Sequence, residues 1–313
     1  MFDSRYRNRR RLSELTVAAT LLSLWTPCAY AQQSFSTPEG AASAFAVAVK
    51  SDDPKDIVKV LGFRGVDIAF SGDKVADAAT RQHFIATYDA RHSIRLEGDN
   101  KAVMILGVDD FPFPIPLARQ KRGWEFDTAA GRLEVLYRRI GRNELDAIQT
   151  CLAYVDAQNE YVEKDRAGGG NGVYAQRIVS TSGKKDGLYW PSSEGDQSPL
   201  GELAARASAE GYKVGLGPVP FHGYYYRILT QQGPNAAGGI LNYVVKGKMI
   251  GGFALVAHPA VYGNSGVMTF LVNQKGVVFQ KDLGNHTLNL VTRMPWFDPD
   301  QTWKKVNTGD PRR

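Results

Sequence analysis

The spacing of apolar residues predicts helices in the first part of the chain. Between residues 37 and 90, apolar positions recur at helical intervals in three segments, which begin near Pro38, at Asp53-Pro54 and near Val75. Residue types that cap helices precede the first two segments, and proline fits the first position of a helix. Three helices are therefore expected before residue 90.

The apolar period then shortens to two, which is typical of strands. Residues 93–97 and 102–108 alternate and are joined by a Gly-Asp-Asn turn, so they predict a hairpin. Prolines at alternate positions of 111–116 remove amide donors from this segment. The segment is therefore either an edge strand of the same domain or an extended ligand for a partner. A last short strand is expected at 124–127. Helices followed by a hairpin-rich sheet predict a small α+β domain over residues 34–137.

The strongest helical pattern opens a second domain, predicted over residues 138–292. Within 143–164, one apolar stripe consists of Leu145, Ile148, Leu152, Val155 and Val162, and a second consists of Ala147, Cys151, Tyr154 and Tyr161. Two adjoining stripes give a wide apolar face, which suits a helix packed on a sheet.

A loop-rich region and five segments of strand length follow this helix. The segments lie at 224–230, 241–245, 253–257, 267–272 and 277–281, separated by short turns. Short connections mean antiparallel pairing. The predicted fold class is therefore α+β with two domains, the second a long helix on an antiparallel meander. Residues 293–313 are expected to form an extended, weakly ordered tail.

The first 31 residues have the layout of a secretory signal peptide. Five arginines between Arg5 and Arg11 precede an apolar run at 15–25, and Ala29-Tyr30-Ala31 places small residues at a cleavage site. The apolar run is shorter than the roughly 20 residues of a spanning helix, which disfavours a retained anchor. Cleavage after Ala31 makes the protein periplasmic or secreted, and the pattern leaves general secretion and twin-arginine export open.

Charge and cysteine content limit the classes of function. The whole chain carries a net charge of +6, and its first 31 residues hold five arginines against Asp3 and Glu14, so +3 remains. This surplus of positive charge is mild, and the sequence has no basic stripe of the kind that nucleic-acid binding requires. Cys151 is then the one cysteine left, and its place in an apolar stripe favours a buried hydrophobe over a nucleophile. No later apolar run is long enough to span a bilayer.

Titratable residues of the loop-rich region are the candidates for catalysis. Asp186, Glu194, Asp196 and His222 offer carboxylates and an imidazole for general acid–base chemistry in a hydrolase. Turn formation equally explains Asp186 and Asp196, because each adjoins a glycine. The sequence contains no local metal-ligand, dinucleotide or phosphate-binding motif, so no metal and no cofactor are expected.

Aromatic residues are unusually dense in the second domain. Tyr189, Trp190, Tyr224, Tyr225 and Tyr226 carry rings with a polar tip, which suit a binding face for an envelope protein or a glycan. On a strand, Tyr224 and Tyr226 share one side and Tyr225 takes the other. The alternative is that these rings cover the sheet beneath the loop at 184–199.

Five segments carry a resemblance to a known family. They are RRIGRNEL at 138–145, KKDGLYWP at 184–191, HGYYYRILT at 222–230, MIGGFALVAHPAVYG at 249–263 and VMTFLVNQKGVVFQKDLG at 267–284. With them the chain resembles the bacterial secreted family called domain of unknown function 2950 over nearly all of residues 36–290. The resemblance implies an exported protein of Gram-negative bacteria and no assigned activity.

A second resemblance concerns the fold of residues 141–282. The order of helix, glycine-rich loop, GYYYRIL strand and FALVAHPAVYGNSGVMTF hairpin is similar to the globular head of type IV pilin-like proteins. The residues before Arg142 depart from that pattern, because they form another domain instead of a filament-building helix. The domain at 34–137 resembles, by analogy alone, small cystatin-like or nuclear-transport-factor-like domains.

Three hypotheses of function follow. The first is an exported, non-enzymatic binding or envelope-associated module, suggested by the export signal and the aromatic density. The second is a hydrolase of cell-wall or polysaccharide material that uses Asp186, Glu194 or His222. The third is a subunit associated with a pilus or a secretion system.

Overall fold

The computed structural model describes residues 32–166, 170–191, 197–213 and 219–307. The signal peptide predicted at 1–31 lies outside them. The N-terminal part contains helices α1 (Pro38–Lys50), α2 (Pro54–Leu61), α3 (Val66–Ala69) and α4 (Lys74–Ala90), then strands β1 (His92–Leu96), β2 (Lys101–Leu106), β3 (Phe111–Pro112), β4 (Leu117–Gln120) and β5 (Gly123–Phe126). The strands form an antiparallel sheet in the order β1-β2-β4-β5, with β3 also paired to β2.

The helix starts follow the capping signals in the sequence. The Thr37 side chain accepts a hydrogen bond from the Gly40 amide before α1, and Asp53 accepts one from the Lys55 amide before α2. Each cap satisfies an amide that has no partner within its own helix. Both helices begin with proline, as the sequence predicts.

The proline-rich segment at 111–116 folds onto its own domain. The Phe113 amide donates to the Met104 carbonyl at 2.8 Å, and Ile115 is fully buried. The Phe113 ring contacts the rings of Phe45 and Phe126. The edge-strand interpretation therefore describes this segment.

One helix, α5 (Thr128–Val162), runs for 35 residues through both parts of the molecule. It begins well before residue 143, where the apolar pattern predicted its start. Asp127 caps it, since its side chain accepts from the Ala130 amide. The predicted domain boundary at 137/138 falls inside this helix. Two hydrophobic cores nevertheless exist, one around Phe45 and Phe126 and one around Tyr154 and Phe270.

The C-terminal part is built on an antiparallel five-stranded sheet. Its elements are helix α6 (Gly201–Ala209), strands β6 (Tyr224–Leu229), β7 (Gln231–Gln232), β8 (Leu241–Asn242), β9 (Val244–Val245), β10 (Lys248–Met249), β11 (Ala254–Pro259), β12 (Met268–Asn273) and β13 (Phe279–Asp282), helix α7 (Thr287–Thr292) and strand β14 (Lys304–Lys305). The main sheet has the order β14-β13-β12-β11-β6. This mixture of a long helix and antiparallel sheets confirms the predicted α+β class.

The strand predicted at 241–245 does not join that sheet. It is split between two small antiparallel pairs, β7 with β8 and β9 with β10. Asn242 causes the break, because its side-chain oxygen accepts the Val244 amide at 3.0 Å and bends the chain. The Tyr243 side chain between them is fully buried and donates to Gln232.

Of the two stripes predicted on α5, the second is the better buried. Ala147, Cys151, Tyr154 and Tyr161 are all at most 3% exposed, whereas Leu145 of the first stripe is 66% exposed. Burial raises the pKa of the Cys151 thiol to about 12, so the thiol stays protonated at neutral pH. Cys151 is thus a core residue.

The segment after residue 292 is part of the fold, and the weakly ordered tail predicted there is wrong for residues 293–307. Phe297 is buried, and its backbone exchanges hydrogen bonds with Gln231 and Gly233. The strand β14 pairs with β13, and Trp303 packs against the core. Three anchors at irregular spacing hold the segment, and such anchors leave no periodic pattern in the sequence. No helix within the described ranges is long and apolar enough to cross a membrane.

Candidate functional site

A cavity of about 260 Å³ lies beside β6, the last strand of the main sheet. It is enclosed by α5, α6, β6 and the segment around Ile178 and Tyr189. Its aromatic wall consists of Tyr154, Tyr189, Tyr212, Phe221, Tyr225 and Tyr226. Apolar concave sites of this kind are where small ligands and side chains of partners bind.

Small residues on α6 create the space. Ala204 and Ala207 are buried and face the cavity next to Leu203. A larger side chain at either alanine would fill the volume that the tyrosines enclose. The short, alanine-rich sequence of α6 is therefore what leaves room beside β6.

One buried polar atom in the wall lacks a well-formed hydrogen bond. The Tyr226 hydroxyl oxygen forms no hydrogen bond of good geometry within the described part of the chain, although the Thr150 hydroxyl lies close enough to act on its pKa. The nearby Thr150 hydroxyl donates to the Asp146 carbonyl at 2.8 Å. Burial raises the pKa of Tyr226 well above its usual value, so the hydroxyl stays protonated. A ligand atom in the cavity would be the natural partner of such a group.

The five aromatics predicted as a binding face divide into two groups. Tyr189, Tyr225 and Tyr226 are partly exposed and line the cavity. Tyr224 is fully buried and donates to the Met268 carbonyl at 2.9 Å, and Trp190 is 5% exposed. Tyr224 and Trp190 are therefore core residues, and their place in the predicted binding face is corrected. The period of two cannot separate Tyr224 from Tyr226, because they share a side of the strand.

The catalytic candidates are not brought together. Asp186 accepts hydrogen bonds from the amide and the hydroxyl of Thr181 at 2.7 and 2.8 Å, which is the turn role considered for it. It shares no hydrogen bond, ion pair or cavity with His222 among the described residues. Glu194 and its neighbour Asp196 lie outside those residues.

His222 is held between two carboxylates that the sequence did not indicate. Its Nε2 lies 2.6 Å from Glu210 Oε2, and its Nδ1 lies 3.2 Å from Asp146 Oδ2. His222 also has a positive φ of 49°, and its ring stacks on Phe221. No hydroxyl or thiol within the described ranges hydrogen-bonds to this ring, so no nucleophile is paired with it. The contacts of His222 with Asp146 and Glu210 instead join α5, the end of α6 and the turn before β6.

A buried carboxylate ties the cavity wall to the N-terminal domain. Asp73 is 1% exposed, and its Oδ1 accepts from the Val75 and Ala76 amides at the start of α4. Its Oδ2 accepts from the Tyr212 hydroxyl at 2.8 Å and the Gly223 amide at 2.9 Å. Because Tyr212 lines the cavity, the N-terminal domain fixes the position of this wall.

A second tie runs through Arg139 of α5. Its guanidinium donates to the Asp67 and Ile68 carbonyls at 2.7 Å each and to the Asn264 side chain. Asn264 in turn donates to the Phe70 carbonyl at 2.7 Å. The bonds of Arg139 and Asn264 thus place the loop at 260–266 against the segment at 66–77, and the bonds of Asp73 hold Tyr212 and Gly223 against the same segment.

Two conservative substitutions test the unpaired hydroxyl. We expect Tyr226→Phe to leave the free energy of unfolding unchanged or to raise it by up to about 1 kcal/mol, because no hydrogen bond is lost. We expect Tyr224→Phe to lower it by about 1–2 kcal/mol, because the Met268 carbonyl loses its donor. Urea denaturation of both variants gives the comparison. Equal losses would mean that the Tyr226 hydroxyl is bonded in the folded protein.

Among the residues that the structure describes, no three His, Cys, Asp or Glu side chains are arranged to hold a metal ion.

Fold and cavity together define an α+β protein with two hydrophobic cores and an apolar cavity on the second. The chain matches the family described as Protein of unknown function (DUF2950) over residues 32–306, and it belongs to that family. This confirms the first resemblance. No curated protein and no solved structure matches the chain, so the similarity to pilin-like heads stays a prediction.

Proposed function

We propose that the protein is an exported, non-enzymatic binding module of the cell envelope. Its ligand is an extended segment of an envelope protein, which places one aromatic side chain in the cavity beside β6. The observation that carries this proposal is the apolar cavity of about 260 Å³ with one unpaired buried hydroxyl, that of Tyr226. A tyrosine or tryptophan side chain offers both an apolar ring and one polar atom for that hydroxyl.

The cavity chemistry favours a protein segment over a glycan. A sugar ring carries several hydroxyls, each of which needs a partner when buried. The walls offer Thr150, Lys213 and the tyrosine hydroxyls, and Tyr212 already uses its hydroxyl on Asp73. Burial and the neighbouring Asp73 charge raise the pKa of Tyr212, which keeps this phenol a donor to Asp73. The rest of the lining is mostly apolar, which suits an aromatic side chain better than a sugar ring.

Strand β6 offers a second means of holding such a segment. Within the described part of the chain, β6 pairs with β11 on one edge and with no strand on the other. An extended peptide can add to a free strand edge through its backbone while alternate side chains enter pockets. Tyr225 and Tyr226 of this strand line the cavity.

The alternative functions have less support. A hydrolase would use Asp186 with His222, but these two side chains take part in separate hydrogen-bond networks. A pilus subunit would use its long helix for assembly, but the first half of α5 packs on the N-terminal domain, with Gly131 against Ile115. Export is supported by the sequence pattern of the first 31 residues.

A matched pair of α6 variants tests the proposal. A displayed library of random peptides is selected on protein from the periplasmic fraction, whose first residue we expect to be Gln32. We expect an aromatic residue to be enriched and its replacement by alanine to weaken binding at least about tenfold. Ala207→Phe fills the cavity and should abolish binding, whereas Ala205→Phe on the exposed side of α6 should not.

Thermal denaturation shows whether Ala207→Phe still folds. Peptides that bind Ala207→Phe as tightly as the unchanged protein would refute the cavity as the binding site. A glycan array that retains the protein when no peptide does would reverse the choice of ligand. Recovery of the protein in the cytosol with Met1 attached would refute export.

A further inference from the structure

We propose that a second cavity, between α4 and α5 in the N-terminal domain, binds a single-chain amphipathic anion such as a fatty carboxylate. The alkyl chain lies in the cavity and the carboxylate meets Arg142 at its rim. This cavity is separate from the one beside β6, so the inference does not depend on the function proposed above.

The cavity has an apolar, aromatic interior of about 320 Å³. Phe45, Phe84 and Phe113 contact one another there, with ring centroids 5.1–5.7 Å apart. The space exists because α4 stands away from the rest of the domain: Tyr88 is its one buried residue. Apolar walls of this kind favour an alkyl chain and disfavour a polar ligand such as a nucleotide.

The rim of the same cavity is positively charged. Among the residues that the structure describes, four arginines line it, Arg81, Arg138, Arg139 and Arg142, together with one carboxylate, Asp77. Arg81 forms an ion pair with Asp52, and Arg138 forms one with Glu134. The four arginines therefore face three carboxylates, those of Asp77, Asp52 and Glu134, and one positive charge remains in excess.

Arg142 holds that excess charge. It is exposed, and no described residue forms a hydrogen bond or ion pair with it. It stands one helical turn from Arg138, and like charges at that spacing destabilise a helix. Burial lowers the pKa of Arg139, and the charge of Arg142 acts in the same direction. An anion bound at Arg142 would relieve both repulsions.

An apolar interior with a cationic rim matches a ligand with one chain and one anionic group. Arginine binds carboxylates with two parallel hydrogen bonds, so the head group is fixed while the chain fills the interior. Each methylene that enters the cavity should strengthen binding about fourfold, until the cavity is full.

Isothermal titration calorimetry with sodium carboxylates of increasing chain length, from hexanoate to tetradecanoate, tests this inference. We expect the affinity to rise about fourfold per methylene and then to become constant. Decanoate should bind about tenfold more tightly than decanol, because decanol lacks the charge. Decylammonium should bind less tightly than either.

Substitutions locate the head group and the chain. Arg142→Gln should weaken decanoate binding about tenfold and leave decanol binding unchanged, and Arg142→Lys should restore most of the loss. Arg293→Gln, at an exposed arginine of the other domain, should have no effect. Val135→Phe should weaken binding of both ligands, because Val135 lines this cavity. Ala207→Phe, in the cavity beside β6, should weaken neither.

Three results would overturn the inference. Affinity that does not depend on chain length would remove the cavity as the site of the chain. Equal affinity for decanoate and decanol would remove the role of charge. Equal effects of Arg142→Gln and Arg293→Gln would remove Arg142 as the anchor. The chain-length series uses the unchanged protein, so it decides the question even if a variant fails to fold.

Discussion

Replacing Asp73 with alanine is expected to lower the free energy of unfolding by about 3–5 kcal/mol, the largest loss for any single carboxylate considered. The substitution removes the cap of α4, which is worth about 1 kcal/mol. It also leaves the Tyr212 hydroxyl and the Gly223 amide buried without an acceptor, at about 1–2 kcal/mol each. These losses arise together because one carboxylate serves both domains.

Asp53 provides the matched control. It caps α2 in the same way, but it is exposed, and among the described residues only the Lys55 amide donates to its carboxylate. We expect Asp53→Ala to lower the free energy of unfolding by about 1 kcal/mol. Urea denaturation followed by far-ultraviolet circular dichroism gives both values. If the two variants lose the same amount, Asp73 is an ordinary cap and the junction does not depend on it.

Asp73 also shows why sequence alone predicted the helices but not the junction. A helix N-terminus depends on residues that are neighbours in the chain, so caps and apolar spacing were sufficient to predict helices near 38, 54 and 75. The other partners of Asp73 lie 139 and 150 residues further along. No local pattern distinguishes such a residue from Asp53.

The same limit applies to the candidate site. The density of aromatic residues predicts a binding face on β6, and Tyr225 and Tyr226 do line the cavity. The cavity itself depends on the small side chains of Ala204 and Ala207, which come from a different element. Alanines in a short helix carry no signal of function, so the space they leave became evident only when α6 was placed against β6.

The start of α5 was missed for a related reason. Gly131 and Gly141 interrupt the apolar pattern before residue 143, and glycine weakens a helix by about 1 kcal/mol relative to alanine. In the structure both glycines are helical, but the surroundings of the two differ completely, and this difference yields the last prediction.

We expect Gly131→Ala to lower the free energy of unfolding by about 1–2 kcal/mol and Gly141→Ala to raise it by about 0.5–1 kcal/mol. A Cβ atom at Gly131 would lie 2.4 Å from the Pro114 carbonyl oxygen and 2.5 Å from Ile115 Cα, so α5 must move away from the backbone of that segment. Such crowding typically costs about 1–3 kcal/mol and outweighs the gain in helix propensity. Nothing lies within 4 Å of a Cβ atom at Gly141, so the gain is realised there in full.

The same pair of variants connects the helix to the arginine-rimmed cavity, because Pro114 and Ile115 line it. Displacement of α5 by Gly131→Ala should move Arg142 relative to the aromatic interior and weaken decanoate binding. Gly141→Ala, one residue before Arg142 but without a clash, should leave binding unchanged. Thermal and urea denaturation give the stabilities, and calorimetry gives the affinities. Stabilisation by both substitutions would show that α5 does not approach residues 114–115 closely. The glycine at 131 would then have no role in joining the long helix to the N-terminal domain.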